Sequence, residues 1–107
     1  MTVYKSGKAW ADGFIVMKVL PNEFGFSRYG FSVTKGVGNA VVRNRVRRLL
    51  KEIARLTPVE SGWDIVVIAR PSVVTADYHQ LKKSVEGLLT RAHLLRYKDE
   101  VVSTGAN

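Results

Sequence analysis

The chain has 107 residues, 46% of them hydrophobic and 24% charged, which suits one globular domain with a modest core. It contains no cysteine, which excludes disulfides and thiolate metal sites, and no apolar stretch approaches membrane-spanning length. Its 17 basic and 9 acidic residues give a net charge of +8, which indicates a polyanionic partner. With no signal-peptide pattern, the sequence predicts a cytoplasmic protein.

Two strands are predicted in the first third of the chain. Residues Phe14–Leu20 are almost continuously apolar and rich in β-branched side chains, which favours a buried strand. A turn at residues 21–25 leads to Arg28–Thr34, where large apolar and small residues alternate. We expect this half-buried strand to pair antiparallel with the first. Its face with Ser32 and Thr34 either meets water or lets an extended backbone approach closely.

The most informative stretch is Gly38–Leu56, which predicts a basic amphipathic helix with Asn39 as its N-cap. Apolar residues recur at helical spacing and define one stripe: Val42, Val46, Leu49, Leu50, Ile53 and Leu56. Cations occupy most of the remaining surface, namely Arg43, Arg45, Arg47, Arg48, Lys51 and Arg55. Glu52 is the only acid in the stretch.

Three interpretations of this helix are possible. A solvated surface face normally mixes charges of both signs, because like charges four residues apart repel each other. The excess here is mostly arginine, whose planar guanidinium suits phosphate, so nucleic-acid contact is favoured. A membrane-surface helix is disfavoured, since the apolar stripe has no Trp or Phe and is needed for the core.

The second half of the chain predicts one more strand and one more helix. Trp63–Ala69 is the most apolar strand and should be central in the sheet. Ser72 or Thr75 could cap the last helix, with Asp77 in its first turn. Its packing face would comprise Tyr78, Leu81, Val85, Leu88, Ala92 and Leu95. The basic helix then connects two strands, and such a crossover is normally right-handed when the strands are parallel.

The sequence shows no catalytic or metal site of the protein's own. His79 and His93 lie 14 residues apart, without metal-ligand spacing, and the acidic residues are scattered. Asp64 precedes an apolar strand and could be a buried carboxylate, although an edge or capping role is favoured. Any part in catalysis would therefore consist of binding and charge neutralisation.

Three ordered blocks resemble the protein subunit of bacterial ribonuclease P. The run from Arg43 to Lys51 resembles that family's R-N-R signature and the basic helix that follows it. Upstream, residues 30–42 resemble its G-[FL]-S-V-[ST]-K…G-[NK]-A-V stretch, and downstream Asp64–Arg70 resembles its D-[LIY]-[IV]-[IV]-I-A-R strand. Residues 3–7 resemble the end of its first helix. The resemblance spans about residues 3–95.

The resemblance implies an α+β sandwich of the ribosomal protein S5 domain 2 type, a small mixed sheet with a left-handed crossover around the basic helix. It also implies a shortened N-terminal helix, a single RNA-binding domain over residues 1–97 and a polar tail over 98–107. The implied partners of a monomeric protein are the catalytic RNA of ribonuclease P and precursor tRNA, with Mg²⁺ acting through the RNA–protein complex in tRNA 5′ maturation. The implied RNA-binding residues are Lys35, Arg43, Asn44, Arg45, Arg47, Arg48 and Lys51.

A second implied site is a cleft between the first helix and the sheet that holds the single-stranded 5′ leader of the substrate. Tyr4 matches one of its aromatic positions, and we assign Ser32 and Thr34 to the same cleft, since aromatic stacking and a groove that follows the backbone suit such a site. Lys18 and Gly36 depart from the family pattern, in which an aromatic residue and a second lysine are found. The alternative function is a structural or ribosomal-type RNA-binding module on the same fold, with no role in hydrolysis.

Overall fold

A computed structural model describes residues 7–96, which contain four strands, two α-helices and two 3-10 turns. The strands are β1 (Lys8–Ala11), β2 (Ile15–Pro21), β3 (Arg28–Ser32) and β4 (Trp63–Ala69). The helices are α1 (Ala40–Leu56) and α2 (Tyr78–Arg91), and the 3-10 turns are Lys35–Val37 and Pro71–Thr75. Tyr4, the helix expected around it, and the predicted tail at 98–107 lie outside the described residues.

The four strands form one mixed sheet in the order β1-β2-β4-β3. Neighbours pair antiparallel except β3 and β4, which are parallel. The prediction that β2 and β3 pair with each other is therefore wrong, because β4 lies between them. As the most apolar strand, β4 gains most from neighbours on both sides, and its predicted central position is confirmed. The parallel pairing also makes β3–α1–β4 a crossover, whose hand stays a prediction.

Both helices cover the same face of this sheet, which gives two layers around one core. Ile15, Met17 and Val19 of β2 face this core in register with Ala69, Val67 and Ile65 of β4. The buried helical residues complete the cluster: Val46, Leu50 and Ile53 of α1, and Leu81, Val85, Leu88 and Leu89 of α2. The predicted α+β sandwich is confirmed.

The edge strand β1 was not predicted, because residues 8–11 carry little apolar alternation. It pairs with β2 through a turn in which the Asp12 carboxylate accepts the N–H groups of Phe14 and Ile15, at 2.9 and 3.0 Å. The Ser84 hydroxyl of α2 donates to the other oxygen of the same carboxylate. Asp12 thereby ties the turn to the helical layer.

The second helix begins later than either predicted cap. Its N-cap is Asp77, which accepts from the Gln80 N–H at 2.8 Å, while the Gln80 side chain accepts from the Asp77 N–H. This reciprocal capping box satisfies two donors at once, which explains why Ser72 and Thr75 lie in the preceding 3-10 turn instead.

Candidate nucleic-acid interface

Local interactions determine where α1 begins. The Asn39 side chain accepts the Val42 N–H at 3.0 Å, so Asn39 is the N-cap as predicted. Gly38 precedes it with φ 154°, a conformation that favours glycine, and a Cβ there would lie only 3.0 Å from a Val42 methyl carbon. The chain can therefore enter α1 at this angle only with glycine at 38.

Burial of one stripe then determines which way α1 faces. Val46, Leu50 and Ile53 are at most 2% exposed against the sheet and α2, so the opposite side of the helix faces outward. Val42 and Leu49 are half-buried beside them. Leu56, predicted as part of the stripe, is instead exposed because the helix ends there and the chain turns towards β4.

The outward side of α1 carries cations that no acid neutralises. Arg45, Arg48 and Lys51 are exposed, and no described residue forms a hydrogen bond or ion pair with them. An open depression of about 420 Å³ lies here, lined by Arg45, Arg48, Leu49, Lys51, Glu52 and Arg55. Guanidinium and ammonium groups in this state can bind phosphate without breaking an existing contact.

Other predicted RNA-binding residues already have partners. Arg43 donates to the Gly38 carbonyl at 2.8 Å, and Arg47 donates to Asn44 Oδ1 at 3.0 Å. Both arginines are half-buried on the flank of α1. Lys35 is exposed in the 3-10 turn that precedes α1.

Two of the predicted cleft residues lie at or just after the end of β3. Ser32 is the last residue of β3 and shares the face opposite the core with Gly30, whereas Thr34 is exposed beyond the strand. No element within residues 7–96 covers this face, which we call the uncovered sheet face and which also carries exposed Ala9 and Lys18. The small residues Ala9, Gly30 and Ser32 leave room for an extended chain beside them. Tyr4, the third predicted cleft residue, lies outside the described residues.

One feature that sequence reasoning missed is a ring stack in the β2–β3 loop. The Phe24 and Phe26 rings lie 5.5 Å apart between centroids and 20° from parallel, and the Arg28 guanidinium carbon lies 4.5 Å from the Phe24 centroid. We call Phe24, Phe26 and Arg28 the aromatic stack. The signal was present, since Phe24 lies in the predicted turn at residues 21–25 and Phe26 directly follows it, where no core packing requires them.

An ion pair fixes the base of the aromatic stack. Arg28 donates to both oxygens of Asp64, through Nε at 2.9 Å and Nη2 at 2.7 Å, and Asn22 Nδ2 donates to Oδ1 at 2.9 Å. These hydrogen bonds, that from Arg28 first, lower the pKa of Asp64 to about 2. Asp64 is therefore a half-buried paired carboxylate at the start of β4, which agrees with the edge role favoured from sequence.

Tyr29 of β3 has a buried hydroxyl with no partner among residues 7–96. The Tyr29 ring stacks on Phe31 with centroids 5.7 Å apart, and both pack against the core. Its hydroxyl oxygen is buried without a hydrogen bond. Burial raises the pKa of Tyr29 to about 12, because the charged phenolate would lose its hydration.

A family model described as Ribonuclease P matches residues 1–93 of this chain. The ribonuclease P protein component of Thermoanaerobacter sp. (strain X514) is 48% identical over 94 residues, covering 86% of this chain and 81% of that protein. The chain belongs to the ribonuclease P protein family. The component from Dehalococcoides mccartyi (strain ATCC BAA-2266 / KCTC 15142 / 195) is 41% identical over 105 residues, 98% of this chain and 88% of its own.

Solved ribonuclease P proteins share the fold. The Staphylococcus aureus RNase P protein superposes with a TM-score of 0.75 at 30% identity, covering 89% of each chain. The Thermotoga maritima RNase P protein gives a TM-score of 0.72 at 30% identity, covering 83% of this chain and 86% of its own.

The resemblance implied that Mg²⁺ acts in the RNA–protein complex. The described residues of this chain do not form a binding site for that ion. Within residues 7–96, no group of three or more His, Asp or Glu side chains could hold a metal ion. Asp64, the carboxylate with the lowered pKa, already accepts from Arg28 and Asn22.

Within residues 7–96, no helix is long and apolar enough to cross a membrane.

Proposed function

We propose that this chain is the protein subunit of a ribonuclease P holoenzyme and binds its catalytic RNA through the outward side of α1. The observation that carries the proposal is the set of exposed cations without acid partners, Arg45, Arg48 and Lys51, on a helix whose buried stripe fixes its direction. Family membership supplies the RNA partner, since its relatives are named ribonuclease P protein components.

The chain contributes charge neutralisation to the reaction. A catalytic RNA and a precursor tRNA repel each other through their phosphates, and cations placed between them reduce that repulsion while releasing counterions. In this proposal the hydrolytic chemistry belongs to the RNA, and Mg²⁺ acts through the RNA–protein complex. Arg43 and Arg47 add charge on the flank of α1, and Lys35 adds a cation before its N-terminus.

The uncovered face of the sheet is the proposed path of the precursor tRNA 5′ leader. Exposed Gly30 and Ala9 let a single strand approach the backbone closely, and Lys18 offers a cation on the same face. Ser32 supplies a hydroxyl at one end of this path, and Thr34 supplies another just past β3. Unpaired RNA in an extended form suits a groove with these properties.

The test replaces one exposed cation and follows RNA binding as salt increases. Arg45→Ala should weaken binding to the cognate catalytic RNA and reduce the slope of log K against log salt by about one phosphate contact. Lys82→Ala on α2, whose ammonium pairs with Glu86 at 3.4 Å, is the matched control and should leave the slope unchanged.

Cleavage of precursor tRNA separates the proposal from a purely structural RNA-binding role. The protein should lower the Mg²⁺ concentration that the catalytic RNA requires for cleavage, and Arg45→Ala should lose part of that effect. Equal salt slopes for Arg45→Ala and Lys82→Ala, together with unchanged cleavage at low Mg²⁺, would contradict the proposal.

A further inference from the structure

The aromatic stack in the β2–β3 loop has no structural explanation in the core. Phe24 is 47% exposed and Phe26 is 57% exposed, and neither ring packs against the buried cluster. They are two of the four phenylalanines in the sequence. The fold therefore gains little from these rings, although each exposes an apolar face to water.

The loop nevertheless holds both rings in place. Asn22 accepts the Phe24 N–H at 2.8 Å and donates to the Phe26 carbonyl at 3.3 Å, so its side chain spans the loop. The Ser27 hydroxyl donates to the Glu60 carbonyl at 2.6 Å and accepts the Trp63 N–H at 2.9 Å. Hydrogen bonds before Phe24 and after Phe26 therefore hold the loop that carries both rings.

We propose that the aromatic stack is a platform for an unpaired RNA base, distinct from the α1 surface and next to the Gly30 end of the uncovered sheet face. A base stacking on Phe26 would add one layer to the Phe24–Phe26 pair, at the offset spacing that aromatic pairs prefer. Arg28 Nη1 has no partner among residues 7–96, so its N–H groups can meet a nearby phosphate. This inference rests on the proposed function, because it takes RNA as the partner.

The position of the aromatic stack suits the same RNA. Because α1 runs antiparallel to β3 and β4 in the crossover, its C-terminus lies at the end of the sheet where β3 and β4 begin. Ser27 binds the loop that joins α1 to β4, so RNA on the cations of α1 can reach the rings at this end. An open depression of about 290 Å³, lined in part by Arg28, Gly30 and Asp64, lies beside them.

A protein partner fits these rings less well. Two exposed rings form a patch far smaller than the roughly 1,200 Å² that specific protein interfaces bury. The net charge of +8 also favours a polyanion over a second copy of the same chain. A stacked ring pair backed by a guanidinium group matches nucleobases, which bind through their flat faces.

The test compares two probes of equal charge: a short oligoadenylate and an oligomer of the same length with abasic sugars in place of the bases. Phe24→Leu/Phe26→Leu keeps the apolar character and removes the π faces. Its affinity for oligoadenylate should fall about fivefold or more, since one stacked base contributes at least that much, while its affinity for the abasic oligomer stays unchanged. Phe24→Trp/Phe26→Trp should restore or strengthen oligoadenylate binding.

The outcomes separate the platform from the proposed function. Arg45→Ala should weaken both probes equally, because phosphates are present in both. If the Leu variant binds both probes like the wild type, the platform is wrong and the proposed function stands. If the wild-type protein binds neither probe, the platform is wrong, and the salt slope with the catalytic RNA decides the proposed function separately. A wild-type dimer that dissociates in the Leu variant would overturn the platform in favour of a self-interface, and thermal melting of each variant checks its fold.

Discussion

The outward side of α1 and the aromatic stack use arginine in opposite ways. On α1, Arg45 and Arg48 form no ion pair with a described residue and remain available to phosphate. In the aromatic stack, Arg28 is held by both oxygens of Asp64, and its guanidinium carbon lies 4.5 Å from the Phe24 centroid. The first surface attracts a polyanion through charge, whereas the second offers flat faces through geometry.

The largest expected effect comes from shortening a buried side chain of the stripe that fixes which side of α1 faces outward. Ile53→Ala deletes a fully buried side chain of α1 and should lower the free energy of unfolding by about 2–5 kcal/mol. Leu56→Ala, at a position 53% exposed, should change it by less than about 1 kcal/mol. Urea denaturation followed by tryptophan fluorescence measures both. Equal losses would mean that the buried stripe is wrongly assigned.

A second comparison tests free against paired cations within α1. Arg48→Gln and Arg55→Gln remove the same charge, but Arg55 already binds Glu52 at 2.9 Å. Long-range attraction falls equally in both variants, so any difference reports direct phosphate contact. Arg48→Gln should reduce the salt slope of RNA binding by about one, and Arg55→Gln by clearly less. The reverse order would show that the ion pair opens on binding.

The third prediction concerns the strand that carries Arg28. Tyr29→Phe removes a buried hydroxyl without a partner and should stabilise the protein by about 1 kcal/mol at neutral pH. Burial raises the folded-state pKa of Tyr29 to about 12, above the usual value of about 10. Stability from the neutral phenol is thus fully present below pH 10 and is lost as pH rises through 12. Urea titrations at neutral and alkaline pH should show this loss in the wild type and not in Tyr29→Phe.

The smallest expected effect is acid sensitivity of the ion pair beneath the aromatic stack. Because the folded-state pKa of Asp64 is lowered to about 2, its stabilising contribution is present above pH 4 and is lost as pH falls through 2. Asp64→Asn should lack this component, and the difference should be small because the pair is partly exposed. Parallel acid titrations of the wild type and Asp64→Asn measure this difference. The same pH dependence of stability in both proteins would show that Arg28 does not stabilise the carboxylate.

The sequence predicted α1 well because its determinants are local. The helical spacing of its apolar residues, the Asn39 cap and Gly38 all lie within one segment, and the structure confirms the start and the orientation that they predict. Which cations lack partners could not be predicted from spacing alone, since Arg43 turns back to the Gly38 carbonyl. Tyr4 lies outside the described residues, so its assignment to the leader cleft stays a prediction.

The errors came from contacts between distant segments. The β2–β3 pairing failed because β4, more than 40 residues after β2 begins, takes the place beside β2. The aromatic stack was missed for the same reason, since Arg28 and Asp64 lie 36 residues apart and meet only through the parallel pairing of β3 and β4. A turn signal at residues 21–25 describes the local chain and gives no information about such partners.

The hydroxyl of Ser27 has a consequence for how the two surfaces act together. By bonding Glu60 and Trp63 at once, it couples the loop of Phe24 and Phe26 to the chain that leaves α1. The cations and the rings therefore keep a fixed separation. If both surfaces bind RNA as proposed, an RNA held by one surface meets the other at high effective concentration, and the two weak contacts reinforce each other as a bivalent pair. Only an RNA with an unpaired base at the matching distance gains this advantage, so the distance between the two surfaces selects RNAs by their shape.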